Sequence, residues 1–464
     1  MDQNVLSMSP SMLSMVNNII VNNDNTSSFM GIDVIFRTSE NTEFVKTFTL
    51  IRSMTINQSF LSTYTDVIDL ELEMQPKDYE DLYANSKGLY CEVIGRRVDE
   101  EYEAFPGDII FRWIGRAIWR NKRDPSQEYS KADMQVLEDD ETQPLIEKHY
   151  GTLLLAKFQL IDAIAYDLRH IQATMILKGV TMKQTCRFLI ERLLGSNLPN
   201  ASIEMYPPDN KKTYTNMVID PMQNISSIFT HIQNKRGYGI YNKGINHYFT
   251  GNTFYLYPPF ELEAPLANKP AVHFYYVGRG KLSSSKGYSK LDPDGTLHVL
   301  SDQQVTVTDT SDETIERFGN ALMLMNSETL IDHYITASQP NLLQNPIVKT
   351  NNGILSVFNL LSDHGIVDLA YNPRYMKNNG NTFSKLAELN AGLRIKIEAT
   401  WLHAAPFSIT PTSRIYFHYD DDMIYTVKPG LCHFIKYTIH RVKQMERMLY
   451  GCTAKLVFFV SSKK

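Results

Sequence analysis

The stretch from Leu393 to Val460 constrains the fold most, because its apolar residues recur at every second position. Between Leu393 and Thr400 they alternate strictly with charged or polar residues, which is typical of a strand with one buried and one solvated face. The triplet Asp420–Asp422 and the pair Pro429-Gly430 mark turns between further strands. Strands of this length cannot bury a shared face alone, so the pattern predicts a sandwich or barrel completed by strands from elsewhere in the chain.

Composition narrows the class of protein. The chain has 464 residues, and a prior of roughly 100 to 200 residues per domain predicts three or four domains. Its 26 Tyr and 22 Phe against 3 Trp suit strands and turns better than long helices. A formal net charge of -5 argues against a chain whose main task is to bind phosphate backbones, because such chains are strongly basic.

The cysteines and the N-terminus indicate a compartment. Cys91, Cys186, Cys432 and Cys452 form no CxxC pair, so we predict free thiols, with a Cys432–Cys452 bridge as the one pairing that the spacing permits. The first residues lack the basic segment and apolar core of a signal peptide, and no apolar run approaches the roughly 18 residues of a membrane span. We therefore expect synthesis and folding in a reducing cytoplasm.

Changes of periodicity along the chain predict four regions in a mainly β protein with α+β insertions. The regions are an N-terminal arm or short helix lying on a neighbour at 1–29, a strand-rich domain at 30–178 with a charged loop at 121–144, small α/β domains at 179–340, and the terminal strands at 341–464. In the α/β region Thr181 is expected to cap a helix that stops at Gly195. A second helix is predicted at Ile225–Lys235, a third at Thr314–Met325, and a linker at Asn341–Asn352.

An acidic row is the clearest periodic feature of the first half. Asp69, Glu71 and Glu73 alternate with the apolar residues from Ile68 to Met74, so they share one face of a predicted strand. The simpler interpretation is a solvated sheet face. The functional alternative is a surface that must not adhere to nucleic acid.

Two basic stretches have both a functional and a structural interpretation. Asp108–Arg120 interleaves aromatic residues with arginines, which would suit nucleic acid, but a strand whose arginine stems cover its neighbours is the more common case. The segment Gly278–Gly287 is rich in Gly, Lys and Ser, but it lacks the order of a phosphate-binding loop and no helix follows it. We expect a hairpin loop there.

Two other clusters fall short of a reaction centre. His418 beside Asp420–Asp422 would suit a divalent metal, but consecutive aspartates point to different sides, which favours a hairpin tip. Trp401 and His403 beside Glu398 would suit a carbohydrate, but no second acid is placed to complete a catalytic pair. Nucleophile-elbow, HExxH and Walker motifs are absent from the sequence. We therefore assign no catalytic, cofactor-binding or metal-binding residue and predict no enzyme.

The order of these pieces resembles the tail hub, or baseplate hub, proteins of contractile-tailed bacteriophages and contractile injection systems. Three segments carry the resemblance. They are TFTLIRSMTINQSFLSTYTDVIDLELEMQPKDYEDL, similar to a hub's first barrel; YTNMVIDPMQNISSIFTHIQNKRGYGIYNKGINHYFTGNTFYLYPP, similar to its inserted α/β unit; and KPGLCHFIKYTIHRVKQMERMLYGCTAKLVFF, similar to its closing strands. The resemblance covers most of residues 30–461.

The resemblance implies a structural virion protein of the tail baseplate. It implies two tail-tube-like antiparallel β-barrels per subunit, at 30–178 and 341–464, and a homotrimeric ring that joins a six-fold tail tube to a three-fold central spike and lets DNA pass. Asp69, Glu71 and Glu73 would then line the lumen. Implied partners are the tube and spike proteins, with wedge and tape-measure proteins as further candidates. The alternatives are another tail or neck ring component, such as a tube terminator, or a virion-associated glycan hydrolase whose activity would depend on Glu398 or Asp421.

Overall fold

The structure is a computed structural model of the full chain. It describes residues 8–21, 29–39, 43–60, 63–98, 104–120, 153–168, 170, 172–195, 202–234, 238–241, 245–259, 270–278, 282, 288–309, 321–325, 357–362, 365–366, 370–371, 393–421, 424–442 and 448–461. Within these ranges strands far outnumber helices. The predicted fold class, mainly β with small α-containing insertions, is confirmed.

The helices and strands are numbered in chain order. The helices are α1 (Pro10–Val21), α2 (Pro76–Ala84), α3 (Ala163–Leu168), α4 (Met182–Gly195) and α5 (Ile225–Asn234). The strands are β1 (Met30–Thr38), β2 (Val45–Phe48), β3 (Ile51–Ser59), β4 (Val67–Met74), β5 (Leu89–Val98), β6 (Ala104–Trp119), β7 (Leu154–Asp162), β8 (Gln172–Thr181), β9 (Ser202–Met205), β10 (Thr213–Asn224), β11 (Asn246–Thr250), β12 (Thr253–Tyr257), β13 (Val272–Tyr276), β14 (Ser289–Leu291), β15 (Leu297–Ser301), β16 (Thr306–Asp309), β17 (Ala321–Met325), β18 (Val357–Ser362), β19 (Gly365–Ile366), β20 (Ala370–Tyr371), β21 (Leu393–Leu402), β22 (Arg414–Asp421), β23 (Ile424–Val442) and β24 (Leu449–Ser461).

Eight antiparallel strands close a β-barrel. Its strand order is β23-β3-β4-β7-β6-β5-β1-β24, and β24 pairs again with β23. Alternation explains the closure, because apolar residues at every second position, such as Ile68, Leu70 and Leu72 on β4, are buried in one common core. Six strands come from the first 162 residues of the chain. The last two strands of the chain complete the barrel.

The same two terminal strands also support a second, barrel-like half. β23 spans 19 residues, so it pairs with β3 over Phe434–His440 and with β22 over Ile424–Leu431. β22 continues into β13 and β15, while β24 continues into β21 and β16. The two arms meet where the Ser301 hydroxyl donates to the Thr400 carbonyl at 2.6 Å.

Strand pairing therefore crosses the predicted domain limits. β23 and β24 belong to the predicted second barrel but complete the first, and β13 and β15 belong to the predicted α/β region but pair with β22. The reason is strand length, because long strands can hydrogen-bond to different neighbours at their two ends. The limits at 30–178, 179–340 and 341–464 stay a prediction.

The α/β part follows β7 and has its own core. It contains the two-stranded sheet β8–β10, the three-stranded sheet β11–β12–β9, and helices α4 and α5. The predicted cap of α4 is confirmed, because the Gln184 backbone N–H donates to the Thr181 hydroxyl and the Thr181 backbone N–H donates to the Gln184 side chain. Buried apolar residues of both helices, including Ile190 and Phe229, pack in this core.

Other local predictions had mixed outcomes. The helix predicted at Thr314–Met325 is wrong where the structure describes it, because 321–325 forms strand β17 in a small sheet with β18, β19 and β20. The loop at 121–144 and the linker at 341–352 lie outside the described residues, as does most of 278–287. All four cysteines are buried free thiols.

The N-terminal helix α1 lies on the chain's own second half. Met12, Val16 and Ile19 are buried against Tyr275 and Leu300 of β13 and β15. Among the described residues no helix is long and apolar enough to cross a bilayer.

Candidate functional site

The acidic row lies on the outer face of the closed barrel, where β4 pairs with β3 and β7. The alternating apolar residues of β4 point into the core, so the three carboxylates point away from it. Their environments differ. Asp69 is exposed, Glu71 is half-buried, and Glu73 is only 2% exposed.

Asp69 and Glu71 present carboxylates to solvent beside polar partners. The Asn57 side-chain amide donates to Asp69 at 3.3 Å. Glu71 accepts a hydrogen bond from the Ser53 hydroxyl at 3.0 Å and forms an ion pair with Lys157 at 2.9 Å. Burial alone would raise the pKa of Glu71, but the hydrogen bonds from Lys157 and Ser53 outweigh it, so the pKa is lowered. Glu71 therefore stays ionised at neutral pH.

Glu73 has a structural partner from the far end of the chain. The Arg441 guanidinium of β23 donates to Glu73 at 2.8 Å and to the Ile51 carbonyl at 3.1 Å. Both side chains are largely buried, with Glu73 at 2% and Arg441 at 15% exposure. Glu73 thus joins the early strands to the terminal strands where the barrel closes, and its carboxylate is not presented to solvent in the single chain.

The acidic row belongs to a wider polar face that runs across both halves of the molecule. In cross-strand register, Asp69 lies beside Thr55, which lies beside Thr438 of β23 and then Thr453 of β24. β24 also pairs with β21, so the face continues onto β21. One continuous surface of five strands, β4-β3-β23-β24-β21, therefore spans the closed barrel and the barrel-like half.

The charge of this face is mixed rather than uniformly acidic. Lys436 and Lys455 are exposed and directly opposite each other on β23 and β24. On β21, Lys396 and Glu398 form an ion pair at 2.5 Å. The negative row is therefore local to β4, and the neighbouring strands present hydroxyls and lysines.

The residues predicted around His418 are brought together differently from the sequence pattern. His418 forms a hydrogen bond with His273 of β13, with 2.8 Å between His418 Nε2 and His273 Nδ1, and another with the Tyr425 hydroxyl at 2.5 Å. One imidazole must donate and the other accept, so the two rings cannot both be cationic. Burial lowers the pKa of His273 to about 4 and that of His418 to about 3.

The first residue of the acidic triplet next to His418, Asp420, holds the N-terminal helix. Asp420 accepts hydrogen bonds from the Ser9 backbone N–H at 2.9 Å and the Ser9 hydroxyl at 2.6 Å. This contact fastens the start of α1 to β22. Within the described ranges, no group of three His, Cys, Asp or Glu side chains has an arrangement suited to a metal ion.

The aromatic-acid cluster near Trp401 does not form a cleft. Trp401 is buried in the core at 1% exposure, while Glu398 points outward beside Lys396. Of the Asp108–Arg120 stretch, residues 108–119 lie within β6, as expected of a strand, and Arg120 directly follows it. Glu92 of β5 is buried and pairs with Arg112 at 2.6 Å.

Sequence reasoning missed two buried carboxylates where the α/β part joins the barrel. Asp66 is fully buried and accepts hydrogen bonds from Gln58 of β3 and from Tyr248 and Thr250 of β11. Burial raises the pKa of Asp66 and raises that of Asp162 to about 7, even though Asp162 accepts two backbone N–H bonds at the start of α3. A lone Asp before a strand, such as Asp66 before β4, gives no local signal of such a role.

Residues 152–261 match the family model described as the bacteriophage PBS1 gene 109 protein. No curated protein matches the chain. The family match spans β7 to β12 and includes the α/β part.

Solved structures share a distant likeness. A tail protein from Neisseria meningitidis MC58 is 12% identical with a TM-score of 0.44, covering 93% of this chain and 97% of its own. The 43 kDa tail protein of prophage MuSo2 from Shewanella oneidensis is 8% identical with a TM-score of 0.44, and the match covers 93% of this chain and 99% of that protein. A chain of the lidless PdpA-VgrG complex is 11% identical with a TM-score of 0.42, and the match covers 94% of this chain and 66% of that chain.

The predicted resemblance to contractile tail and baseplate-type proteins is confirmed. At these TM-scores the solved structures support no transfer of individual residues, so the roles of this chain's residues must come from its own contacts.

Proposed function

We propose that this chain is a structural tail hub that forms a trimeric, pseudo-six-fold ring between a tail tube and a central spike and lets DNA pass. The observation that supports it is the strand sharing between the two halves. β23 and β24 belong to both, so one chain offers two barrel segments side by side. Three copies would then present six segments, which is what an adaptor between six-fold and three-fold partners requires.

The five-strand face β4-β3-β23-β24-β21 is proposed as the inner wall of that ring. It crosses both halves without interruption. Its cross-strand rows carry Thr, Asn, Ser and charged residues across the closed barrel, and half-buried apolar residues such as Val457 and Phe459 join them towards β21. Negative charge at Asp69 and Glu71 would repel the DNA backbone. Glu73 contributes to closing the barrel and has no exposed carboxylate to offer.

The oligomer mass of the purified full chain tests the ring. A protomer is 53.2 kDa, so native mass spectrometry should give three copies. Six copies would instead indicate a tube terminator or neck ring, and a monomer at high concentration with the tube protein present would contradict the ring.

An image average of the assembled ring tests the position of the face. Asp69 and Glu71 should border the central channel, and an outward or inter-subunit position would discard the lumen role. In infection assays, Asp69→Lys should slow DNA transfer while the ring mass stays unchanged. Glu80→Lys is the matched control, because Glu80 is exposed on helix α2, which is not one of the five strands of this face.

A further inference from the structure

A groove lies where three parts of the molecule meet, outside the polar face described above. Its volume is about 620 Å³. One wall is the β6 segment Ile109–Trp113, a second is the tip of the β11–β12 hairpin at Thr250 and Gly251, and a third is the loop 405–410 with strands β14 and β15. A crevice of this size at the meeting of separate units is a typical place for a binding site.

The groove is lined with apolar side chains that remain accessible. Leu291 is 61% exposed and Ile109 is 45% exposed, although both are large aliphatic residues. Below them, the rings of Phe111 and Phe407 contact each other with centroids 5.6 Å apart. Exposed apolar residues gathered in a concave site, rather than scattered singly, favour occupation by a partner.

The loop that forms the third wall is held in a strained conformation. Phe407 within the loop has φ 62°, and His403 just before the loop has φ 52°, a left-handed region that a bulky side chain rarely adopts. The Phe407 ring lies between Phe111 and Tyr437. Packing therefore keeps the loop in one shape, and strain of this kind is concentrated at binding and switching sites.

The charge of the groove is positive. Arg97 and Arg112 lie in its lining, and its lining residues include no Asp or Glu. Arg112 is oriented by buried Glu92, whereas Arg97 has no ion pair with any residue in the described ranges. The indole N–H of Trp113, which also lines the groove and is 5% exposed, has no acceptor within the described part of the chain.

We propose that this groove docks a segment of a partner protein that carries apolar side chains next to a carboxylate. The exposed Leu291 and Ile109 with the Phe111–Phe407 floor accept the apolar side chains, and Arg97 pairs with the carboxylate. A protein segment fits better than nucleic acid, because the lining is mainly apolar and the other arginine of the lining, Arg112, is already ion-paired with Glu92. This inference does not depend on the ring, since the groove is built within one chain.

Two small probes test the chemistry of the groove on the full chain. Anilinonaphthalene sulfonate has an apolar body with one anionic group, and N-phenyl-1-naphthylamine has the same rings without the charge. Arg97→Gln should weaken sulfonate binding about fivefold, the worth of one partly exposed ion pair, and leave the neutral probe within about twofold. Ile109→Ser should weaken both.

Matched controls separate groove binding from general exposure of apolar surface. Ile176→Ser removes an aliphatic side chain that is 63% exposed on β8, and Arg187→Gln removes an exposed arginine on α4. Neither control should change the binding of either probe. Thermal unfolding of every variant shows that its fold is retained.

Competition identifies the class of occupant. The hexapeptide Gly-Leu-Phe-Ile-Glu-Gly should displace the sulfonate probe at least severalfold better than its Gln-for-Glu counterpart, and a ten-nucleotide oligothymidine should not displace it. Displacement by the oligonucleotide alone would overturn the protein partner. Equal displacement by the two peptides, or sulfonate binding that survives both groove substitutions, would overturn the proposed recognition, while leaving the ring mass and the proposed function unaffected.

Discussion

Replacing Arg441 with methionine tests how the chain ends close the barrel. The Arg441 guanidinium donates hydrogen bonds to the Glu73 carboxylate and to the Ile51 carbonyl. The Arg441 side chain is largely buried, with 15% of it exposed. Arg441→Met keeps most of the side-chain volume but leaves the Glu73 carboxylate, 2% exposed, without its cation. Its other oxygen already has no hydrogen-bond partner among the described residues.

The expected loss follows from which group is left unpaired. Removing one partner of a buried ion pair costs about 3–5 kcal/mol, because a desolvated charge remains. Replacing both partners with apolar residues of similar size is often close to neutral. The double variant Glu73→Leu with Arg441→Met should therefore have a free energy of unfolding within about 1 kcal/mol of the native value. That free energy should be well above the free energy of unfolding of either single variant.

Urea unfolding of the native chain, both single variants and the double variant measures this coupling as a double-mutant cycle. The matched control is the cycle at Arg187 and Glu191, an i,i+4 pair with side chains 66% and 50% exposed. Its coupling should be below about 0.5 kcal/mol.

Two outcomes would refute this reasoning. If Arg441→Met costs less than about 1 kcal/mol, the terminal strand β23 is not held to β4 through this pair. If the double variant loses as much free energy of unfolding as the two single variants lose in sum, then Glu73 and Arg441 act independently of each other.

Three further predictions concern local contacts and pH. Thr181→Ala removes the hydroxyl that caps α4 and should lower the free energy of unfolding by about 1 kcal/mol in urea titrations, whereas Thr181→Ser should lose much less. Asp162, with a raised pKa of about 7, should make the native chain lose stability as pH rises from about 4 to 7, and Asp162→Asn, which keeps a capping oxygen, should remove that loss in unfolding curves across this range. His418, with a lowered pKa of about 3, should make the chain lose stability as pH falls from about 6.5 towards 3. His418→Asn should flatten this acid limb, and hydrogen exchange should show α1 opening first in the native chain, because Tyr425 lies between His418 and Met15. An unchanged acid limb in the variant would contradict the role of His418.

Short-range patterns predicted the features that depend on neighbouring residues. The alternation at β4 predicted which side chains face the core, and the Thr181 cap lies where the sequence places it. Both follow from geometry within about four residues, the periods of a strand and of a first helical turn. The helix predicted at 314–325 failed where 321–325 joins a sheet, because pairing with β18 decides that segment.

The sequence by itself determined the mainly β class, the inward and outward faces of individual strands, and the position of the acidic row. Only the tertiary structure decided which strands meet: that β23 and β24 serve both halves, that Glu73 pairs with Arg441 across 368 positions of the chain, and that His418 meets His273 across 145. The physical reason is that a period of two specifies the face of a side chain but not the strand beside it. The choice of neighbour is made by burying all the apolar faces in one core at once.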